Sequence, residues 1–303
     1  LKDRFADVHN AKDWGASPLA TPLANRQAIQ AAVVYAYSLG GGEVYIPAGT
    51  YLIDIGTPII LPSNIPLSGV RAQTRLVPDM STILPDKIYP LATGAMVITG
   101  DPTTGNRAGL VSGQTVNPAS IVENVHVKDL VFDNSASTTP IPAGYHLNGV
   151  QLWFCHKSSI TWCEFYNFPN SGPYMAGYRH AEIAHCIVDH CGHLTSEAGS
   201  LNGISTPGWI DATDRENSSL DLKIHHNYVS NCRQEGIQNS TCKGVIISDN
   251  VLIGNQDFGV EGEAQTPGTT ATSATYGYEV PADAIVERNY IDGYSPTLGT
   301  YGT

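Results

Sequence analysis

Ile224-His225-His226-Asn227-Tyr228-Val229 and, 23 residues later, Ile247-Ser248-Asp249-Asn250-Val251-Leu252 align without a gap. Four more segments join them: Val127-Lys128-Asp129-Leu130-Val131-Phe132, Ile160-Thr161-Trp162-Cys163-Glu164-Phe165, Ile183-Ala184-His185-Cys186-Ile187-Val188 and Val286-Glu287-Arg288-Asn289-Tyr290-Ile291. Their starts lie 33, 23, 41, 23 and 39 residues apart, so the basic period is 23 residues and three periods carry insertions of 10, 18 and 16. A fixed period of this size marks a solenoid, in which each repeat buries its inner face only by stacking on the next. The fourth position reads Leu130, Cys163, Cys186, Asn227, Asn250, Asn289, and the sixth is always a large apolar residue. An inward Asn at a tight turn bonds the backbone of the coils above and below, while the apolar columns fill the interior. A second strand opens Gly149-Val150-Gln151-Leu152, Gly203-Ile204-Ser205-Thr206, Gly236-Ile237-Gln238-Asn239 and Gly259-Val260-Glu261-Gly262. Together the columns predict an all-β chain, a right-handed parallel β-helix.

Working outward, the N-terminal part contains the one clear helical pattern. Asn25 is in position to cap it, Ile29, Ala32, Val33 and Ala36 share a face, and Gly40-Gly41-Gly42 stops it, giving a capping helix over 25–39. Glu43 to Ile53 reads as two short strands about Pro47-Ala48-Gly49. The expected organisation is a cap with first strands over 1–60 and the β-helix over 61–303, with insertions near 134–147, 193–219 and 262–280. The 303 residues carry 16 Lys plus Arg against 28 Asp plus Glu, a net charge of −12 with no basic run, which argues against nucleic acid as a partner. No apolar stretch is long enough to span a membrane.

The six cysteines fall in three repeat columns: Cys163 and Cys186, Cys191 and Cys232, Cys155 and Cys242. Without a Cys-x-x-Cys pair they read as small apolar ladder residues. Cys163/Cys186 and Cys191/Cys232 occupy adjacent rungs, close enough for a strained bridge, whereas free thiols suit folding in a reducing cytosol.

Three segments carry a family resemblance: Asp13-Trp14-Gly15-Ala16, Ala28-Ile29-Gln30-Ala31-Ala32, and Gly41-Gly42-Glu43-Val44-Tyr45-Ile46-Pro47-Ala48-Gly49-Thr50-Tyr51. They resemble the N-terminal signature of the pectate-lyase-like β-helix superfamily, and the Leu67-Ser68-Gly69-Val70 turn extends the match. That superfamily includes phage tailspike depolymerases, polysaccharide lyases, hydrolases and mannuronan C5-epimerases. Where the family usually has Gly-Asp-Gly and Asp-Asp, this chain has Ser17 to Ala24, so those acids have no counterpart. The Asp-Pro-His of the epimerases is absent at the matching positions (Gln151/Trp153, Ser205/Pro207, Gln238/Ser240, Glu261/Glu263), as is the Asp-Asp with Gly-His-Gly of polygalacturonase-like hydrolases. The resemblance implies an extracellular polysaccharide as substrate and leaves the reaction to the site.

All three insertions flank the Gly-led strand and are expected to wall a groove there. Its floor would carry Gln151, Trp153, Tyr174 and Gln238 with Glu261 and Glu263, and Trp209, Tyr145, Tyr276 and Tyr278 would stand in the walls. Aromatic faces for sugar rings beside amides and acids for hydroxyls make a carbohydrate site. Glu261, with Glu235 or Asp211 as partner and Asp257 and Glu263 nearby, supplies a carboxyl pair for glycoside hydrolysis. For elimination or epimerisation of uronates, a basic strip at the far end of the strand offers Tyr178, Arg179 and His180 with His156, Lys157 and Lys243. His185 and His226 share a column beside His225, yet outward histidines without an acidic third ligand read as surface residues. The stretch from Asp211 to Glu216 lacks the glycine of a calcium loop. No cofactor or metal is expected.

The leading expectation is a tailspike-like depolymerase, extracellular or virion-associated, working by hydrolysis. A uronate lyase or C5-epimerase is the second reading, and a non-catalytic glycan-binding adhesin the third. Only eleven residues follow Asp292, none forming a clear amphipathic helix over the last coil, so a homotrimer or an additional C-terminal domain is expected to cover it.

Overall fold

The computed structural model describes residues 7–82, 94–108, 110–111, 115–116, 120–136, 147–192, 202–207, 219–240, 243–263 and 284–293. Three parallel sheets run its length. The first contains Glu43–Tyr45, His126–Lys128, Ser159–Thr161, Arg179–Ala184, Leu220–His225, Lys243–Ser248 and Ile285–Glu287. The second runs from Gly49–Asp54 through Thr74–Asp79 and Val131–Asp133 to Tyr290–Asp292, and the third from Ile59–Leu61 through Asn148–Trp153 to Val260–Glu263. Each coil contributes one strand to each sheet in turn, which is a parallel β-helix.

The repeat register is the physical register. Val127 pairs with Ile160, Ile160 with Ile183, Ile183 with Ile224, Ile224 with Ile247, and Ile247 with Val286. On the second sheet Phe132, Phe165, Val188, Val229, Leu252 and Ile291 form the matching column. Phe132 and Phe165 stack at 5.1 Å between centroids. These columns are buried until the last rung, where Val286 and Ile291 are 53% and 55% exposed.

At the fourth position the asparagines form a continuous ladder. Asn250 Oδ1 accepts from the backbone N–H and the side-chain amide of Asn227, both at 3.0 Å, and Asn250 Nδ2 donates to Ile224 O at 3.0 Å and Asn289 Oδ1 at 2.9 Å. A second, shorter ladder stands eight residues past the Ile column, where Asn255 Oδ1 accepts from Cys232 N at 3.0 Å. Five cysteines, Cys155, Cys163, Cys186, Cys191 and Cys232, are buried and free, so no strained bridge forms among them, and Cys242 lies outside the described residues. Burial pushes the Cys186 thiol up to about 12, which leaves it protonated and inert.

Single left-handed residues turn the corners. The column Asp129, Trp162, His185, His226, Asp249, Arg288 has φ between 52° and 58°, where each coil leaves the first sheet for the second. The glycines that open the third sheet answer a different need, close approach: a Cβ on Gly203 would lie 2.5 Å from Val229 Cγ1, and on Gly236 2.8 Å from Gly259 O. Gly172, whose N–H donates to Gly203 O at 3.1 Å, is a fifth member of this column.

The helix spans Pro22–Ser38 and buries Ile29, Ala32, Val33 and Ala36 against the first coils, as their spacing predicts. It begins three residues before Asn25. Thr21 is the N-cap, accepting from Ala24 N at 3.3 Å, and Pro22 presets the first helical φ. Asn25 is instead a buried clamp that accepts from Ser17 N at 2.9 Å and donates to Leu52 O at 3.1 Å. Glu43–Tyr45, Gly49–Asp54 and Ile59–Leu61 already belong to the three sheets, so the solenoid's first coil lies under the helix.

Candidate functional site

The third sheet sets one register column across the coils: Ile60, Ile98, Gln151, Tyr174, Ser205, Gln238, Glu261. Their neighbours Val150, Leu152, Met175, Ile204 and Ile237 fill the core, so by strand alternation the column faces outward. From one end to the other it changes from apolar, through amide and aromatic, to carboxylate. Trp153 lies two positions beyond Gln151, and its ring stacks near Tyr174 at 6.3 Å and 19°. Gln238 Oε1 accepts from Ser205 Oγ at 3.0 Å and Asn202 Nδ2 at 3.1 Å, which fixes the amide's orientation. Gln151, 6% exposed, has an Oε1 with no hydrogen-bond partner among the described residues.

The predicted carboxylates separate. Glu261 is half-buried in the column, and Glu263 follows two positions along the same strand. Glu235 is buried in the turn before Gly236. Register places it beside Phe258, three residues ahead of Glu261, so the two backbones are offset by roughly 10 Å along the strand. Asp257 is exposed and lines a hollow with Leu252, Asn255 and Ile291. Asp211 and Trp209 lie outside the described residues, as do Tyr145, Tyr276, Tyr278 and most of the three insertions.

The basic strip differs from its sequence reading. Tyr178 is fully buried in the core and its hydroxyl donates to Asn239 Oδ1 at 3.2 Å, so it presents no base to a groove. Gly177, at φ +63°, turns the chain inward at this point and breaks the strand alternation. His180 pairs with Asp221 at 3.0 Å, while Lys157 and His156 approach Glu123 at 3.5 and 3.9 Å. Burial, followed by the Arg179 charge, lowers the His156 pKa. Arg179 is half-buried with its Nε lacking a hydrogen-bond partner among the described residues. These cations are thus largely compensated rather than offered to an anionic substrate.

Sequence reasoning missed Ser205 and Asn202, which hold Gln238, and Asn148, whose Oδ1 accepts from Asn170 Nδ2 at 2.8 Å and Ser171 N at 3.0 Å. The available signal was positional: Asn148, Ser171, Asn202 and Glu235 all stand immediately before a repeat glycine. A shallow hollow of about 520 Å³ flanks the helix at Arg26, Gln30 and Tyr35, and its lining contains no carboxylate.

A three-sheeted coil stack with this N-terminal helix and one polar, aromatic-bearing face defines a parallel β-helix protein of the pectate-lyase-like superfamily. Within it, the chain belongs to the rhamnogalacturonase A/epimerase, pectate lyase-like family, whose model matches residues 8–277. Among solved structures it is similar to the mannuronan C-5 epimerase AlgE6 A-module of Azotobacter vinelandii, at 16% identity and TM-score 0.65, over 94% of this chain and 65% of that one. It is similar also to the tailspike of E. coli bacteriophage HK620, solved with a pentasaccharide, at 17% identity and TM-score 0.57, over 95% of this chain and 50% of that one. A third is the Streptococcus pneumoniae surface adhesin PfbA, at 17% identity and TM-score 0.58, over 84% of this chain and 63% of that one. The chain thus spans less than two thirds of each of these structures. No curated protein matches the sequence.

Proposed function

We propose that this chain is a polysaccharide depolymerase, extracellular or virion-associated, that cleaves glycosidic bonds along the outward face of the third sheet by hydrolysis. The observation that carries this is the register column Gln151, Tyr174, Ser205, Gln238, Glu261, with Trp153 stacked beside Tyr174. It offers aromatic and amide contacts to a sugar chain and a carboxylate at one end. Glu261 is the leading acid–base group, with Glu235 as partner. Their backbone offset suits the wider spacing of an inverting pair, about 6.5–9.5 Å between carboxyls, better than the closer retaining pair. The net charge of −12 favours a neutral or mixed glycan over a polyuronate. Compensation of Lys157, His156 and His180, together with the burial of Tyr178, speaks against elimination.

The test is incubation with a panel of capsular, exopolysaccharide and uronate polymers, reading new reducing ends and the ultraviolet absorbance of unsaturated uronate together. Reducing ends without absorbance are expected. A rise in both overturns hydrolysis in favour of a lyase, proton exchange at C5 without cleavage identifies an epimerase, and glycan binding without any turnover identifies an adhesin.

The exposure of Val286 and Ile291, both in core columns, supports a homotrimer partner or an additional C-terminal domain over the last coil. Light scattering of the complete natural protein is expected to report a trimer. A monodisperse monomer with no further domain over these residues removes the proposal.

A further inference from the structure

Across the solenoid from the third sheet, where the chain passes from the first sheet to the second, three histidines of two successive coils converge. One ligand nitrogen from each of His185, His225 and His226 lies within 4.8 Å of the other two. His185 and His226 occupy the left-handed corner column, at φ 57° and 55°, and His225 pairs with Ala184 on the neighbouring rung. The His185 ring is held parallel to Trp162, 3.9 Å between centroids and 3° between planes, and the Arg71 guanidinium sits 4.1 Å from the Trp162 centroid.

Glu182 determines the chemistry of the cluster. Its Oε1 lies 2.9 Å from His225 Nε2, and an ionised carboxylate only accepts, so Nε2 carries the hydrogen and Nδ1 is left with its lone pair. That lone pair is 2.9 Å from His226 Nδ1. A carboxylate that fixes the tautomer of an imidazole and raises the basicity of its other nitrogen is the usual outer-shell arrangement behind a metal-binding histidine.

We propose that His185, His225 and His226 bind a zinc-like divalent transition-metal ion, with Glu182 orienting His225, and that the ion ties two successive coils together. Three imidazoles select zinc, copper or nickel over magnesium and calcium, which take oxygen ligands. Zinc–nitrogen bonds of about 2.0–2.1 Å require the two Nδ1 atoms to open by only a few tenths of an ångström. Water takes the remaining position of a tetrahedral ion. The site joins the coils that begin at Ile183 and Ile224, between which the chain makes its longest excursion, 41 residues from column to column. An ion there holds these coils in register whatever the excursion does. The site stands apart from the third sheet and does not depend on the glycan reading.

The experiment strips the full chain with a chelator and titrates it with Zn²⁺, by calorimetry, and with Co²⁺, by visible absorption. One ion per chain is expected, with the tetrahedral cobalt spectrum, and Zn²⁺ raises the thermal unfolding midpoint. Glu182→Gln is expected to weaken binding by about 10–100-fold, and His226→Asn at least as much while abolishing the Zn²⁺-dependent rise in midpoint. Asn tolerates the left-handed conformation, so metal-free His226→Asn should unfold at the parent's metal-free midpoint. If it does not, His185→Asn carries the same test from the other left-handed position. No uptake by the parent chain, or uptake unchanged in these variants, overturns the site and leaves the 2.9 Å contact between His225 and His226 as an ordinary N–H···N hydrogen bond.

Discussion

Asn250→Ala is expected to lower stability by roughly 3–5 kcal/mol, read as a fall in the denaturation midpoint at unchanged slope. Asn250 is buried, and its side chain satisfies groups on three rungs: the Asn227 N–H and amide, Ile224 O and Asn289 Oδ1. Truncation orphans at least the Asn227 N–H and the Ile224 carbonyl, each costing about 1–3 kcal/mol when water cannot reach it. It also leaves a small cavity in the column. The same change at Asn289 is expected to cost clearly less, because Asn289 is only half-buried on a rung whose core residues are open to solvent. Equal effects at the two positions would mean that the ladder's bonds contribute little, and that Asn is present only for its compatibility with the turn.

Residues 127 to 291 showed most of the fold in the sequence because a stacked coil repeats its environment. Each inward position meets the same position one rung away, so the Ile column, the Asn column and the large apolar column are each physically one site repeated. Where a residue answers to something other than the rung above and below, the pattern was silent. Asn25 looked like a cap because Asn favours that position, yet the Thr21-Pro22 pair starts the helix earlier and Asn25 serves the loop at Ser17. Tyr178 looked exposed because it stands beside Arg179 and His180, but the left-handed Gly177 turns it into the core. Glu182 drew no attention, since its bond to His225 crosses between coils separated by the longest insertion. The polar column of the third sheet was visible as Gln151, Tyr174, Gln238 and Glu261. Ser205 was passed over because its role is to hold Gln238 rather than to extend outward.

On the hydrolytic reading, Glu261→Gln is expected to reduce turnover by more than two orders of magnitude, within the roughly 10²–10⁴-fold weight of a general acid–base group. The substitution keeps the size and planarity of the side chain on Val260–Glu263 and removes only its capacity to exchange a proton. Glycan affinity, set by the aromatic and amide part of the column, should therefore stay within a few-fold of the parent. Glu235→Gln should lose turnover comparably if the two carboxyls act as acid and base on opposite sides of one bond, and the flank of the pH–rate profile belonging to the removed group should disappear. A merely structural role for Glu261 would reduce binding or stability and leave both flanks in place. Near-parental turnover of Glu261→Gln would exclude it as the acid–base group and move the search to Glu263 and Asp211, the remaining predicted acids of the strand and of the middle insertion.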